Sequence, residues 1–290
     1  MKSGQIMVEL VPPSRRASQQ NVKQTIERMA ALIQQLPRVD YLNVPEIVSE
    51  NHAGAPFYEK MDAGQFAVTL RDKTGMPAMV NKVTVHLPQT EFDDWLDRTV
   101  NKQNIRHVVL VGGNSRATRY GGLPVLNANT RAAARNATVG NICIPDRPGE
   151  LQRLLSKTKS GCSFFTTQIL FKSERIKRLL GAYDAACRQK GIAPASFFLC
   201  FAPVSTPLDL EYMTWLGAHI PPTVAKRLGG HDPAEASVAL AQQLYLDVLT
   251  HAQTHEWQVP VSINVEPISL KNLDWVDPMV RCLNNVRHRV

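Results

Sequence analysis

Short apolar runs recur along this chain at intervals of roughly 30 residues, and stretches of helical period fill the gaps between them. Eight runs fit the pattern: residues 5–11, 39–44, 79–87, 105–111, 138–144, 162–170, 195–201 and 259–265. Strands separated by whole helices cannot pair as hairpins, so they must join as parallel βαβ units. Eight such units close on themselves as a barrel. The rival, an open doubly wound sheet, carries a glycine-rich phosphate turn after its first strand. Here that turn is Pro12-Pro13-Ser14-Arg15, which cannot cradle a phosphate. The expected fold is therefore α/β, a single (β/α)8 TIM barrel, with residues 1–290 as one domain.

The helices follow from spacing and caps. Ser18 can cap a helix in which Val22, Ile26, Met29, Ile33 and Leu36 share a face, and Pro37 closes it. A weak helix is expected over 56–73, then helices over 90–102, 129–136, 148–160, 173–190, 207–217, 221–228, 233–254 and 269–286. Residues 45–55 and 116–128 read as loops, the first carrying Glu46, Glu50, Asn51 and His52. Trp95, Trp215, Trp257 and Trp275 fall on helices or their flanks and read mainly as packing.

Composition excludes several classes. With 44% hydrophobic and 20% charged residues the chain can bury a sizeable core and is not disordered. No apolar stretch approaches the ~20 residues that span a bilayer. Met1-Lys2-Ser3-Gly4-Gln5 runs straight into a strand without a signal-peptide apolar region, so the expected location is cytoplasmic. The five cysteines share no CxxC spacing, and His52 with Glu46 lacks a third ligand, so neither disulfides nor a metal site are expected. The net charge of +8 comes from scattered basic residues without a recognition-helix, zinc-finger or RNP-like pattern. No nucleic-acid partner is expected; a small anionic ligand and a solvated basic surface with no role fit the charge equally well.

In a barrel of this kind the chemistry sits where strands end. The candidates so placed are Glu9, Glu46, His86, Asn114, Asp146, Gln168 and Glu266. Glu9 lies between Val8 and Leu10; if those two pack under helices, Glu9 points inward. A desolvated carboxyl holds its proton towards neutrality, as a general acid requires, although an interior cation could neutralise it instead. Gln168 follows Thr166 and Thr167 in an apolar run, and its carboxamide offers the donor and acceptor that read a lactam edge. His86 can donate or accept at the end of the third strand. Gly112 and Gly113 make a turn, and they also let a ligand approach the backbone. Glu266, before Pro267, belongs at the rim beside the first strand.

Taken in order, Val8-Glu9-Leu10-Val11-Pro12-Pro13, Val85-His86-Leu87, Val108-Val109-Leu110-Val111-Gly112-Gly113-Asn114, Ile144-Pro145-Asp146 and Gly161-Cys162-Ser163-Phe164-Phe165-Thr166-Thr167-Gln168 resemble the methylenetetrahydrofolate reductase family. Pro203-Val204-Ser205 and Ile220-Pro221 extend the series over most of the chain. The resemblance implies a barrel that reduces 5,10-methylenetetrahydrofolate to 5-methyltetrahydrofolate, with Glu9 as proton donor and Gln168 on the pterin. Placed at strand ends beside them, His86, Glu266 and Asn114 are expected as supporting substrate ligands, and Gly112, Gly113 and Asp146 as cofactor-binding residues. Flavin-dependent members carry Arg-Gly-Asp where this chain has Gly112-Gly113-Asn114, and a tyrosine where Ile144 stands. Both departures count against FAD. The chain looks closer to the divergent branch that takes hydride directly from NADH or NADPH, which is similar in its Glu-Leu-Val-Pro-Pro start and its glutamate at the last strand. An FAD-containing reductase and a non-reducing folate-binding protein stay open as alternatives.

Overall fold

The computed structural model describes residues 1–51, 53–113 and 118–287. Eight parallel strands close a barrel: β1 (Ile6–Glu9), β2 (Tyr41–Val44), β3 (Ala78–Val83), β4 (His107–Val111), β5 (Thr138–Cys143), β6 (Cys162–Thr167), β7 (Ser196–Phe201) and β8 (Val261–Val265). Closure is made where β1 pairs with β8, Met7 opposite Asn264, and with β2, Glu9 opposite Asn43. The outer ring is α1 (Gln19–Gln35), α2 (Ala63–Thr74), α3 (Gln89–Asp97), α4 (Val125–Ala133), α5 (Glu150–Lys159), α6 (Glu174–Lys190), α7 (Pro207–Trp215), α8 (Pro222–Leu228), α9 (Pro233–Thr254) and α10 (Val276–Arg287). This is the (β/α)8 architecture that the sequence pattern requires. Among the described residues no helix is long and apolar enough to cross a membrane.

Each strand sends alternate residues to opposite sides. Val8, Leu10, Leu42, Val80, Val108, Phe165, Leu199 and Ile263 face outward and join the helices in the main core. Met7, Met79, Val109, Phe164 and Phe198 form a separate buried cluster inside the barrel. Phe164 and Phe198 meet edge to face at 5.9 Å, a favoured aromatic geometry. Gly140, opposite Phe164 in the ladder, is the small residue that admits this ring: a Cβ there would overlap it. Gly140→Ala is accordingly expected to cost about 1–3 kcal/mol through overpacking, read as a lower thermal midpoint, and pairing it with Phe164→Leu should restore part of the loss.

Several elements end earlier or begin later than their spacing suggests. The third strand stops at Val83, so His86 lies in the following loop rather than at a strand end. The sixth stops at Thr167, which places Gln168 one residue past it. Residues 45–55 are not a plain loop, because Ser49–Glu50 pairs antiparallel with Pro56–Phe57. That hairpin delays the second helix to Ala63, where Asp62 accepts from the Gln65 amide as its cap. The fourth helix starts at Val125 behind Pro124, inside the stretch expected to be loop; its buried face is made of Ala128, Asn129 and Ala132, too small and polar to give a clear periodic signal. The helix over 90–102 finishes in a π turn, Arg98–Lys102, and the last one opens with a 3-10 turn, Leu270–Trp275.

Candidate functional site

Above the apolar floor the inward positions become polar. Glu9, Asn43, Asn81, Cys200 and Asn264 occupy the next turn of the alternation on β1, β2, β3, β7 and β8, at the carboxyl end of the barrel. Glu9 is partly exposed there, with Asn43 Nδ2 donating to its Oε2 at 2.7 Å. Burial raises the Glu9 carboxyl well above its ordinary range, and the nearby Glu266 charge raises it further; the Asn43 and Asn264 amides pull the other way without winning. Desolvation favours the neutral acid, and a second carboxylate favours it again.

Glu266 follows β8 directly, and its backbone N–H donates to the Phe201 carbonyl at 2.9 Å. Asn264 Nδ2 donates to Glu266 Oε1 at 2.7 Å and also reaches Cys200 Sγ at 3.4 Å. Burial pushes Glu266 up to about 7, against hydrogen bonds from Cys200 and Asn264. Burial raises the Cys200 thiol as well, followed by the charge of Glu266, so this cysteine is a hydrogen-bond donor and not a ready thiolate. The carboxamide oxygens of Asn43, Asn81 and Asn264 are buried without a partner. These three oxygens lack donors, a condition that protons on the acids, or donors on a ligand, would relieve. Among the described residues no lysine or arginine acts on either Glu9 or Glu266, so the interior cation that could have neutralised Glu9 is missing.

The other candidates divide into separate groups. His86 Nε2 lies 2.9 Å from Glu50 Oε1, and Tyr120 O–H donates to Glu50 Oε2 at 2.8 Å. The Tyr120 ring stands edge-on to His86 at 5.4 Å. The same ring accounts for Gly113, since a Cβ at that position would run into it, whereas a Cβ at Gly112 would only touch Val125 at 3.4 Å. Asn114 and His52 lie outside the described residues. Glu46 is held by Lys82 Nζ at 2.5 Å and by the Val83 amide at 2.9 Å.

Gln168 and Asp146 share a narrow crevice of about 40 Å³ with Pro145, Leu170, Lys172 and Gly217. Gln168 Nε2 donates to the Leu216 carbonyl at 2.9 Å, and its Oε1 accepts from the Ile169 amide at 3.0 Å. Both ends of its carboxamide are thus used by the chain itself. Asp146 is exposed and stands 3.5 Å from Arg175 Nε. Helix α7 spans the two regions. Its Tyr212 hydroxyl is raised by burial and then by the Glu9 charge, and its C-terminal neighbour Leu216 receives Gln168.

Sequence reasoning missed Asn43, Asn264, Cys200 and Tyr212. The first three were within reach, because the alternation that turns Glu9 inward turns Asn43 in Tyr41–Val44 and Asn264 in Val261–Val265 the same way. Tyr212 carried no such signal. Trp215, expected to pack, is instead 62% exposed and stacks on Tyr212 with centroids 5.5 Å apart.

No family model matches the chain, and no curated protein matches its sequence. A solved structure described as an uncharacterized protein from Clostridium thermocellum, which binds two copies of 5-methyl-5,6,7,8-tetrahydrofolic acid, superimposes with a TM-score of 0.82. The match covers 100% of this chain and 96% of that one at 19% sequence identity. At that identity the likeness establishes a common barrel architecture.

Proposed function

We propose that this protein binds a reduced folate at the carboxyl end of its barrel and reduces 5,10-methylenetetrahydrofolate to 5-methyltetrahydrofolate, taking hydride from NADH or NADPH. The observation that carries the reading is Glu9: an inward carboxyl with no cationic partner among the described residues, in surroundings that favour its protonated form. The ordered motifs around it, and a barrel like that of a protein described as binding 5-methyltetrahydrofolic acid, support the folate part.

The chemistry asks for such an acid. Proton transfer from Glu9 to the bridging nitrogen breaks its bond to the methylene carbon and opens the five-membered ring to an iminium ion. Hydride from the dihydronicotinamide then adds to that carbon, giving the methyl product, the oxidised nicotinamide and a Glu9 carboxylate to be reprotonated. Holding donor and acceptor face to face supplies the remaining acceleration. Gln168 would meet the pterin by exchanging its bond to the Leu216 carbonyl for one to the ring. Gly112 stands where the flavin-dependent proteins place an arginine, so no side chain at that position can hold a flavin's phosphates.

The test is methylenetetrahydrofolate-dependent loss of reduced-nicotinamide absorbance, catalysed by protein whose visible spectrum is free of flavin bands. Turnover is expected with one of the two nicotinamide donors. Flavin bands in the fresh protein would move the reading to an FAD-containing reductase. Tight 5-methyltetrahydrofolate binding without turnover by either donor would leave a non-reducing folate-binding protein, a reading that the engaged Gln168 amide favours.

A further inference from the structure

Two carboxyl groups meet at the carboxyl end of this barrel, and the reduction needs only one of them. Glu9 ends β1 and Glu266 follows β8, the strand that pairs with β1 where the barrel closes. Asn264 joins them: its amide donates to Glu266 Oε1 at 2.7 Å and acts on Glu9 as well. The groups facing Glu9 are Asn43 from β2, Asn264 from β8, Glu266 just past it, Cys200 from β7 and Tyr212 from α7. Those facing Glu266 are Asn264 and, from β7, Cys200. The other neighbours named are neutral; burial is the largest influence on both acids, and for Glu9 the Glu266 carboxylate comes next.

We propose that Glu266 is a positioning residue for Glu9: the two carboxyls, linked through Asn264 in a layer short of donors, hold one proton between them, and the charge on Glu266 keeps that proton on Glu9. This rests on the reductase reading for its purpose but not for its measurement. Val8 lies opposite Val265 in the ladder, so the next residues, Glu9 and Glu266, end neighbouring strands on the same inward side. Two like charges so placed cannot both form readily, and the pair loses its protons in two separated steps that belong to it jointly. The first proton comes chiefly from Glu266, whose carboxyl burial raises while its bonds from Cys200 and Asn264 oppose the rise, and Glu9 is raised further by the charge that this leaves. Glu9 then stays loaded at a pH where an isolated glutamate is almost wholly ionised. The carboxamide oxygens of Asn43 and Asn264 lie in the same layer without a donor, so a proton retained on the pair has acceptors beside it.

The experiment is an infrared titration of the protonated carboxyl bands in ligand-free protein, with Glu9→Gln used to assign the Glu9 band. Wild type should lose two bands in distinct steps. In Glu266→Gln the Glu9 band should disappear at least one pH unit lower, which is about a tenfold fall in the protonated fraction on the alkaline side. Glu266→Asp, which keeps the charge, should restore most of the shift. If Glu266→Gln fails to fold, the wild-type titration decides alone, since a single step in the ordinary carboxylate range overturns the proposal. In the reductase assay, the alkaline limb of kcat/KM should move to lower pH in Glu266→Gln by the same amount as the infrared midpoint. An unmoved Glu9 band, or an unmoved limb in an active enzyme, overturns the pairing. Absence of turnover in wild type at every pH, with the infrared shift intact, overturns the reductase reading and leaves the pair standing.

Discussion

Glu9→Gln is expected to lower kcat by about 10²–10⁴-fold, the usual worth of a positioned general acid, while folate binding changes by only a few-fold. The amide has nearly the shape of the protonated acid. Its oxygen can still accept from Asn43 Nδ2, the contact that the carboxylate makes at 2.7 Å. What the variant lacks is a transferable proton. A loss confined to kcat with KM unchanged therefore separates proton donation from ground-state binding, and stopped-flow hydride transfer measured beside isothermal titration of 5-methyltetrahydrofolate resolves the two. Full activity in Glu9→Gln would remove the acid from the mechanism.

Stability should fall as pH rises through neutrality, and removing either acid should flatten that fall. Glu266 is raised from an ordinary 4.5 to about 7, and Glu9 is raised well above 4.5. Between those limits the native state binds more protons than the unfolded chain, so stability decreases with increasing pH. The contribution is complete below about 4.5 and is lost as pH passes about 7. For Glu266 alone the shift corresponds to an upper bound of about 3–4 kcal/mol, less what solvent screening removes at this partly open position. Carboxylates with lowered values act in the opposite sense: Asp93, held down by its hydrogen bond from Arg131, costs stability only on the acid side. Thermal midpoints collected across pH 5 to 9 (roughly the window in which the raised acids titrate) should drop on the alkaline side in wild type. They should drop much less in Glu9→Gln or Glu266→Gln, which would be the more stable proteins there. A wild-type profile flat through that window would contradict the raised values.

The architecture was legible because one physical pattern repeats. Parallel strands covered on one side by helices must be apolar, and the intervening helices carry their own period, so eight units could be counted from the sequence. Glu9 was legible for the same reason, as a charge at an inward position of such a strand. Strand ends were read less well. Apolar residues continue past them, as in Val85 after β3 and Ile169-Leu170-Phe171 after β6, where they pack as loop anchors instead of ladder members. That displacement is what separates His86 and Gln168 from the strand ends expected of them. The ties of His86 to Glu50 and Tyr120, of Gln168 to Leu216, and of Tyr212 to the neighbourhood of Glu9 join residues from 34 to 203 positions apart. Such pairings depend on how loops settle over the barrel, and no local period encodes them.

The ring pair at Phe164 and Phe198 makes the barrel a blind well. Met7, Met79 and Val109 lie alongside, and Tyr41 packs on His107 beneath at 4.9 Å, so among the described residues the amino-terminal side of the acids is filled by buried side chains. Traffic of water, protons and ligands is one-sided. The acidity of Glu9 is accordingly governed by whatever covers that single opening, and a ring lying over it would dry the carboxyl and strengthen its hold on the proton until the moment of transfer.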